Sequence, residues 1–428
     1  MVDFGWQYLT SADKQAVVAG VRDGVAYGGP YHVEIYPADR CNIDCFFCST
    51  AAIRGTDELP LDRFELLLGE FKAAGTRSIR LAGGGEPLFH RKTKPMLRAI
   101  VESGIPLENL TTNAVLIDDE TARLLVRCCD QVTVSLNTGE AKSYSEMMQT
   151  PARNFDRVIA NVERLIAARK QVKESRTRVT LQFLVWRDNY KQIPEMYALA
   201  RRLDVDNILF GGLAFLRPDQ EMSEEQLSEM LHLYEEVVRV DEFRRITTIS
   251  TFERDISPAV GEMINRLSAE RGQRPLHSKL FDFLSRSDQT LADRIRHHYR
   301  VKQRARALAE TKEFDESCVI GWISMIIRSD GSVGPCCMLQ DKKLGNIFQQ
   351  PLSEIWYGSG YQQFRSELTR IIAQGPAWAA AAGDTTVESI CAVKGTNLCP
   401  IKSYFFIEDT KFVRDLDRAF AAHRGGIS

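Results

Sequence analysis

Short apolar runs with the composition of β-strands alternate with amphipathic helical patterns from Tyr31 to about Arg217. The helical stretches 64–71 and 155–166 keep apolar residues at positions i, i+3, i+4 and i+7. Strands that alternate with helices predict a parallel sheet with crossover helices. Because six strand–helix units are too few for a closed eight-stranded barrel, we expect an α/β fold with a partial, open (βα)6 barrel. The predicted strands are 32–37, 78–83, 107–112, 131–136, 179–185 and 207–213.

The sequence changes character twice after this region. Residues 219–240 and 257–313 have helical patterns, and a capping box that begins at Ser223 predicts a helix start near Glu224. Further on, turn residues and cysteines become frequent, and Asp330-Gly331 between apolar runs predicts a two-residue hairpin turn. We therefore predict three parts, which are a TIM-like partial barrel over 1–217, a helical connecting segment over 218–313 and a small α+β domain over 314–428.

Charge and hydropathy exclude several classes of partner. The net charge of −2 and the pI near 6.4 give no basic surface for nucleic acid or anionic lipid. The first residues lack a basic segment followed by an apolar one, and the apolar runs are too short to span a bilayer. We therefore expect a cytoplasmic protein with no membrane or nucleic-acid partner.

The ten cysteines fall into separate groups along the chain. Three lie within 41–48, two at 128–129, and five between 318 and 399. In a reducing cytoplasm, clustered cysteines more often bind metals or take part in catalysis than form disulfides. Adjacent thiols such as Cys128 and Cys129 point in different directions, so we interpret that pair as packing residues. The distribution predicts two separate metal sites.

The first group, CNIDCFFC, follows the first predicted strand and has the spacing C-x3-C-x2-C at Cys41, Cys45 and Cys48. Buried thiols would explain single cysteines, but not three at close spacing among polar residues. Zinc sites usually combine two matching C-x2-C pairs, which the C-x3-C opening fits poorly, and no nearby His supplies a fourth ligand. A [4Fe–4S] cluster with three cysteine ligands leaves one iron open to bind a further molecule. We favour this third interpretation.

The octet resembles the cluster loop of the radical S-adenosylmethionine (radical SAM) enzymes. The resemblance implies that the open iron binds the amino and carboxylate groups of SAM, and that Phe47 packs near the adenine. A second motif, GGGEP, closes the second predicted strand. Glycines there let the backbone approach a ligand. The resemblance implies that Gly84, Gly85 and Glu86 hold the methionine amino group, with Glu86 pairing the ammonium.

Polar residues also end the third and fourth predicted strands. Ligands of parallel α/β sheets bind at the carboxyl ends of the strands, so Asn113, Ser135 and Asn137 are candidate contacts to SAM. Asn137 stands where this family more often has an aspartate. Gln182 on the fifth strand is a weaker candidate, because strand alternation could turn its side chain outward.

The second cysteine group resembles the C-terminal SPASM/twitch extension of many radical SAM enzymes, in which cysteines before and after a hairpin hold an auxiliary cluster. The resemblance implies one auxiliary [4Fe–4S] cluster on Cys318, Cys336, Cys391 and Cys399. The full pattern has seven cysteines and this segment has five, which favours one cluster over two. Cys337 is left for packing, as an alternative ligand or as a hydrogen-atom donor. A structural zinc site on the same thiols is the alternative.

The resemblance implies that SAM is cleaved reductively to a 5′-deoxyadenosyl radical, with electrons from a flavodoxin- or ferredoxin-type donor. Only 40 residues precede Cys41, too few for the peptide-binding domain of many peptide-modifying relatives. We therefore expect a polar small molecule, such as a sugar or aminocyclitol, to be oxidised, dehydrated or epimerised inside the barrel. A peptide-modifying enzyme is the alternative, and a non-catalytic iron–sulfur or zinc protein a distant one. The sequence identifies no catalytic residue for the substrate step.

Overall fold

The computed structural model describes residues 6–48, 50–51, 54–212, 222–240, 247–250, 318–337, 339, 342–374 and 410–424. Within them, one ten-stranded sheet has the order β10-β9-β8-β1-β2-β3-β4-β5-β6-β7. Strands β1 to β7 are His32–Ile35, Ser78–Leu81, Leu107–Thr112, Cys129–Ser135, Arg178–Val185, Asn207–Gly212 and Thr247–Ser250. Strands β8, β9 and β10 are Ser324–Ile327, Ser332–Gly334 and Gly345–Asn346.

Helix α1, Ser11–Asp23, precedes β1, and its start is fixed by a capping box between Thr10 and Asp13. Helices α2 to α8 follow strands β1 to β6. They are Leu61–Ala74, Thr93–Ser103, Asp119–Cys128, Ala141–Met148, Arg153–Gln171, Ile193–Leu203 and Glu224–Val240. Helices α9 to α12 are Ile320–Ile323, Leu352–Tyr357, Ser359–Gln374 and Thr410–Arg424.

The two faces of the parallel sheet differ in polarity. Val33 and Ile35 of β1 are fully buried in the core that the apolar residues of α2 to α7 complete. The alternate residues of β1, His32 and Glu34, are also buried but point away from that core, to the inside of the curved sheet. At the amino end of this inner face, His32 Nδ1 lies 3.1 Å from Glu108 Oε2. The inner face is therefore a polar interior, and the described helices α2 to α7 cover the outer face.

The expected α/β fold with an open, TIM-like partial barrel is confirmed. Strands β1 to β7 are parallel and lie in chain order. All six predicted strands are present, and β7 is a seventh that the sequence patterns did not predict. Helix α8 begins at Glu224 as predicted, with Ser223 and Gln226 bonded reciprocally at 2.9 and 3.2 Å. The predicted helical residues 257–313 lie outside the described ranges.

The C-terminal strands continue the barrel sheet. Strand β8 pairs in parallel with β1, from His32 with Ser324 to Ile35 with Ile327, whereas β9 is antiparallel to both of its neighbours, β8 and β10. The boundaries predicted at 217 and 313 stay predictions, but the sheet itself runs across them.

The hairpin between β8 and β9 differs in detail from the prediction. The Gly331 amide donates to the Arg328 carbonyl at 2.9 Å, and Ile327 pairs with Val333. Gly331 has φ +77°, so the connection is a three-residue loop that ends in a left-handed glycine, and not a two-residue turn. In the described part of the chain, no helix is both long and apolar enough to cross a bilayer.

Candidate functional site

The loop that carries Cys41, Cys45 and Cys48, called here the cluster loop (residues 41–48), lies beyond the carboxyl end of β1. Its backbone is attached to the end of α5. The Asp44 amide donates to the Met148 carbonyl and the Phe46 amide to the Met147 carbonyl, both at 3.3 Å. The cluster loop is thus held at the end of the sheet where parallel α/β proteins bind their ligands.

The GGGEP segment packs directly against the backbone leading into the cluster loop. The Gly85 amide donates to the Ala38 carbonyl at 2.9 Å, and the Glu86 amide to the Arg40 carbonyl at 3.0 Å. A Cβ atom at Gly85 would lie 2.1 Å from the Arg40 carbonyl oxygen, well inside contact distance. Only glycine fits at this position, because the two backbones touch. The Gly84 carbonyl in turn accepts from the Thr50 hydroxyl at 2.7 Å.

The carboxylate of Glu86 is 3% exposed and joins the ends of two strands. Its Oε1 accepts from the Thr112 hydroxyl at 2.6 Å and from the Leu88 amide at 3.1 Å, and its Oε2 accepts from the Asn113 amide at 2.7 Å. Burial raises the pKa of Glu86, while the three donors act in the opposite direction. A carboxylate has about four acceptor sites, so one remains for the predicted ammonium contact, which stays a prediction.

Asn113 links β3 to the cluster loop. Its side-chain Nδ2 donates to Asn42 Oδ1 at 2.8 Å and lies 3.8 Å from the Cys41 sulfur. Its Oδ1 accepts from the Val115 amide at 3.1 Å. Asn113 therefore reaches the cluster loop and contacts one of its cysteines directly, whereas its predicted contact to SAM stays a prediction.

The three loop thiols are suited to a cluster. They lie partly buried, so an approaching group can reach them. Burial, followed by the nearby charges of Cys41 and Cys48, raises the pKa of the Cys45 thiol to about 12. Burial also raises the pKa of Cys41. Iron supplies positive charge that would relieve this mutual repulsion of thiolates.

In the portion of the chain that the structure describes, no three His, Cys, Asp or Glu side chains converge as they would around a single metal ion. Each cysteine of a [4Fe–4S] cluster binds its own iron, so its ligands stand farther apart than the ligands of one ion. A cavity of about 430 Å³ also borders Cys41 and Asn42. The three thiols of the cluster loop are donors that suit an iron–sulfur cluster.

The remaining predicted SAM contacts have different surroundings. Ser135 and Gln182 meet on neighbouring strands, where the Ser135 hydroxyl donates to Gln182 Oε1 at 3.1 Å. Asn137 has φ +64° and is 1% exposed, and its Oδ1 accepts from the Leu184 amide at 3.2 Å. Asn137 is thus a buried residue that connects the end of β4 to β5. Phe47 packs edge-on against Phe46 at 5.5 Å between ring centroids.

One residue near the site, Tyr36, was not predicted from the sequence. Tyr36 follows β1 on the inner face and packs with Ala82, Ile326 and Cys337. Burial raises its pKa well above the usual range, assisted by the charges of Glu34 and Cys337, whereas the charge of Arg328 lowers it. Strand alternation from His32 would have predicted that Tyr36 faces inward.

The second cysteine group is only partly within the described residues. Cys318 and Cys336 are buried in one apolar cluster, with Cys337 packed against it. Continuing the β8–β9 register places Cys336 level with Ser324, at the amino end of β8. Cys391 and Cys399 lie outside the described residues, so the predicted four-cysteine set stays a prediction. Elsewhere, the Cys128 thiol donates to the Leu124 carbonyl at 3.3 Å, and Cys129 is buried in the main core.

Comparison with protein-family models gives two matches. The radical SAM superfamily matches residues 35–200, and an iron–sulfur cluster-binding domain, SPASM, matches residues 318–378. The first match contains the cluster loop and GGGEP, and the second contains Cys318, Cys336 and Cys337.

Curated relatives match over part of their length. A probable GTP 3′,8-cyclase of Saccharolobus islandicus is 28% identical over 207 residues, which are 46% of this chain and 64% of that protein. A GTP 3′,8-cyclase of Synechocystis is 27% identical over 172 residues, 39% of this chain and 50% of that protein. The chain thus spans less than two thirds of the length of these relatives.

Solved structures extend the likeness to most of the chain. Streptococcus suis SuiB bound to S-adenosylmethionine superposes with a TM-score of 0.55 at 19% identity, covering 88% of this chain and 75% of SuiB. SuiB bound to precursor peptide SuiA superposes with a TM-score of 0.54 at 20% identity, covering 82% of this chain and 70% of SuiB. The structure of anSMEcpe with bound AdoMet superposes with a TM-score of 0.50 at 15% identity, covering 93% of this chain and 98% of that chain. At these identities the likeness establishes the fold.

Proposed function

The chain belongs to the radical SAM superfamily and carries an SPASM iron–sulfur domain, and from this premise we propose that it modifies a peptide or protein substrate. It is an enzyme that binds SAM and a [4Fe–4S] cluster, with auxiliary iron–sulfur binding in the SPASM domain. When bound, SAM and the reduced cluster would supply radical chemistry for removing a hydrogen atom from the substrate.

In this proposal Cys41, Cys45 and Cys48 hold the cluster and the residues around them position it. Glu86 and Asn113 fix the cluster loop against β2 and β3 through buried hydrogen bonds. Ser135 and Gln182 present polar groups from the next strands toward the same end of the sheet. Cys318 and Cys336, with Cys391 and Cys399, are the proposed ligands of the auxiliary cluster.

The observation that carries the peptide proposal is the extent of the structural likeness. SuiB, solved with a precursor peptide bound, covers 82% of this chain. Within the described residues the sheet does not close, since β7 and β10 form its two ends. An open barrel gives an elongated chain a lateral route to the polar interior. This supports the peptide alternative over the small molecule that the sequence analysis preferred.

A polar small molecule remains the second candidate. The curated relatives named GTP 3′,8-cyclase match the chain at 27–28% identity, so a nucleotide-sized substrate has sequence support. That support covers less than half of the chain, and the likeness to SuiB covers most of it.

Anaerobic reconstitution with iron and sulfide, followed by incubation with SAM and dithionite, tests both candidates. The substrates are synthetic peptides encoded by genes that neighbour this one in its genome, GTP, and a panel of aminocyclitols. We expect a peptide to increase 5′-deoxyadenosine formation and to change in mass. Turnover of GTP or an aminocyclitol, with no modified peptide, would favour the second candidate. No 5′-deoxyadenosine under any condition would refute both.

A further inference from the structure

A positively charged group lies at the mouth of the barrel without a partner. Arg328 directly follows β8, and the pairing of Ile35 with Ile327 places it beside Tyr36 at the carboxyl end of β1. Both terminal nitrogens of its guanidinium are inaccessible to solvent and have no hydrogen-bond partner among the described residues. Burying a charge is costly unless it is paired. A buried guanidinium fork without an anion therefore indicates a ligand that is absent from the free protein.

The acidic groups nearby leave Arg328 available. Asp330, two residues further on, accepts hydrogen bonds from the Ser332 amide at 2.9 Å and from Lys343 at 3.1 Å. Glu34 lies on the inner face of β1, 6% exposed, and forms no ion pair within the described ranges. The charge of Glu34 raises the pKa of Tyr36 and the charge of Arg328 lowers it, so all three groups border one region of the interior.

The backbone leaves space for the guanidinium. A Cβ atom at Gly334 on β9 would lie 3.1 and 3.3 Å from its two terminal nitrogens. A Cβ atom there would be a tight contact, so glycine lets the Arg328 fork lie close to β9 at this place. This contact fixes where the unpartnered fork lies.

We propose that Arg328 binds a carboxylate group of the substrate at the mouth of the barrel. The proposal rests on the proposed function, in that the substrate enters the polar interior. An arginine fork binds a carboxylate through two parallel hydrogen bonds. The negative charge of Glu34 in the same region disfavours a dianionic phosphate more than a singly charged carboxylate. The bound group is therefore an acidic side chain or the C-terminus of a peptide.

The alternative partner of Arg328 is the auxiliary cluster. The Arg328 fork lies against Gly334, two residues before Cys336, and Cys337 packs against Tyr36. The spectrum of the auxiliary cluster in Arg328→Lys therefore decides between the two partners.

Acetate and inorganic phosphate serve as probes of the subsite. Each is titrated at constant ionic strength, with chloride as the reference anion, into the reconstituted wild-type enzyme and into Arg328→Gln, Arg328→Lys and Arg22→Gln. Arg22 is an exposed arginine paired with Asp23 and provides the matched control. Binding is measured from the shift of the thermal unfolding midpoint and from the line width of ¹³C-labelled acetate.

We expect acetate to bind wild type and Arg22→Gln equally and Arg328→Gln about tenfold more weakly. Arg328→Lys, which keeps the charge but loses the fork, should fall between them. If Arg328→Gln does not fold, the proposal is tested by comparing acetate binding of wild type with that of Arg328→Lys.

Three results would overturn the proposal. They are equal acetate binding by wild type and the Arg328 variants, tighter binding of phosphate than of acetate, and a changed electron paramagnetic resonance spectrum of the auxiliary cluster in Arg328→Lys. Formation of 5′-deoxyadenosine by the wild-type enzyme is measured in parallel. If wild type cleaves SAM but acetate does not distinguish the variants, only the subsite fails. If wild type cleaves no SAM, the proposed function fails whatever acetate does.

Discussion

The carboxylate of Glu86 accepts a hydrogen bond from the backbone amide of Asn113 at 2.7 Å, and the side chain of Asn113 in turn holds Asn42 of the cluster loop at 2.8 Å. The end of β2 is thereby connected to the cysteines through buried polar contacts. Because unsatisfied buried polar groups are costly, these contacts specify one position for the loop.

Replacing Glu86 by Gln should destabilise the protein. The Gln amide would present an N–H group where all three present contacts need an acceptor, leaving at least one buried donor unpaired. We expect a loss of about 1–3 kcal/mol in the free energy of unfolding, measured by urea titration of the cluster-free protein. Glu120→Gln, at an exposed ion pair with Lys94, should change it by less than about 1 kcal/mol. Equal stability of wild type and Glu86→Gln would contradict this account.

Replacing Cys41, Cys45 and Cys48 together by Ala should remove about four irons and all 5′-deoxyadenosine formation. Iron is measured chemically and the nucleoside by chromatography. Cys128→Ser is the matched control, since Cys128 is another partly buried cysteine whose thiol bonds only to its own helix in the contacts described. If the triple variant kept its SAM cleavage, the assignment of the cluster loop would be wrong.

The same triple variant measures the second metal centre. We expect about four irons to remain, and to be lost when Cys318 and Cys336 are also replaced by Ala. Both thiols are buried in one apolar cluster, which favours a shared centre. Zinc in place of the remaining iron would disprove an auxiliary iron–sulfur cluster on these residues.

Gly85→Ala should displace the cluster loop, because the added methyl group would meet the Arg40 carbonyl at 2.1 Å. We expect a loss of stability of about 2 kcal/mol or more and reduced iron incorporation. Gly69→Ala is the control. No atom lies within 4 Å of a Cβ at that position in α2, so helix propensity should raise stability by about 0.5–1 kcal/mol. Normal iron content in Gly85→Ala would argue against the close backbone contact.

The stability of the protein should fall at low pH in part through Asp13. Burial raises the pKa of this carboxyl, but hydrogen bonds from Arg77 and Thr10 outweigh burial and hold the pKa below its usual value. The folded state therefore prefers the ionised form. This contribution is complete above the unfolded pKa of about 4 and is lost as the pH falls through the folded value.

Urea midpoints between pH 3 and 7 measure this effect. In Asp13→Asn the urea midpoint should fall less steeply as the pH is lowered toward 3. In Asp188→Asn, where the carboxylate is largely exposed, the midpoint should depend on pH as in wild type. The same acid dependence in wild type and Asp13→Asn would show that other carboxyls cause it.

Local patterns predicted the local elements of this fold well. Periodicity gives strands and helices, since each depends on neighbouring residues, and the octet CNIDCFFC places the cluster loop directly after β1. The pairing of β8 with β1 was not predicted, because it joins segments far apart in sequence and no local pattern encodes it.

Side-chain directions at the site were also beyond the sequence patterns. Asn137 was predicted as a SAM contact from its place at a strand end, and that contact stays a prediction. Its left-handed backbone and the hydrogen bond from the Leu184 amide to its Oδ1 were not predicted. Arg328 lay in a predicted hairpin, and its lack of a partner emerges only when β1, β8 and β9 lie side by side. The polarity of strand ends predicts where a site lies, and tertiary contacts decide which groups remain available in it.

The parallel pairing of His32 with Ser324 also has a consequence for how the molecule forms. Until β8 is synthesised, β1 has an open hydrogen-bonding edge, although its side chains are among the most buried of the protein. The strand that leads into the cluster loop is thus completed late, by residues from the last quarter of the chain. Insertion of iron into a fully formed loop would then wait for the end of translation, and a chain truncated before β8 would be prone to aggregate through this edge.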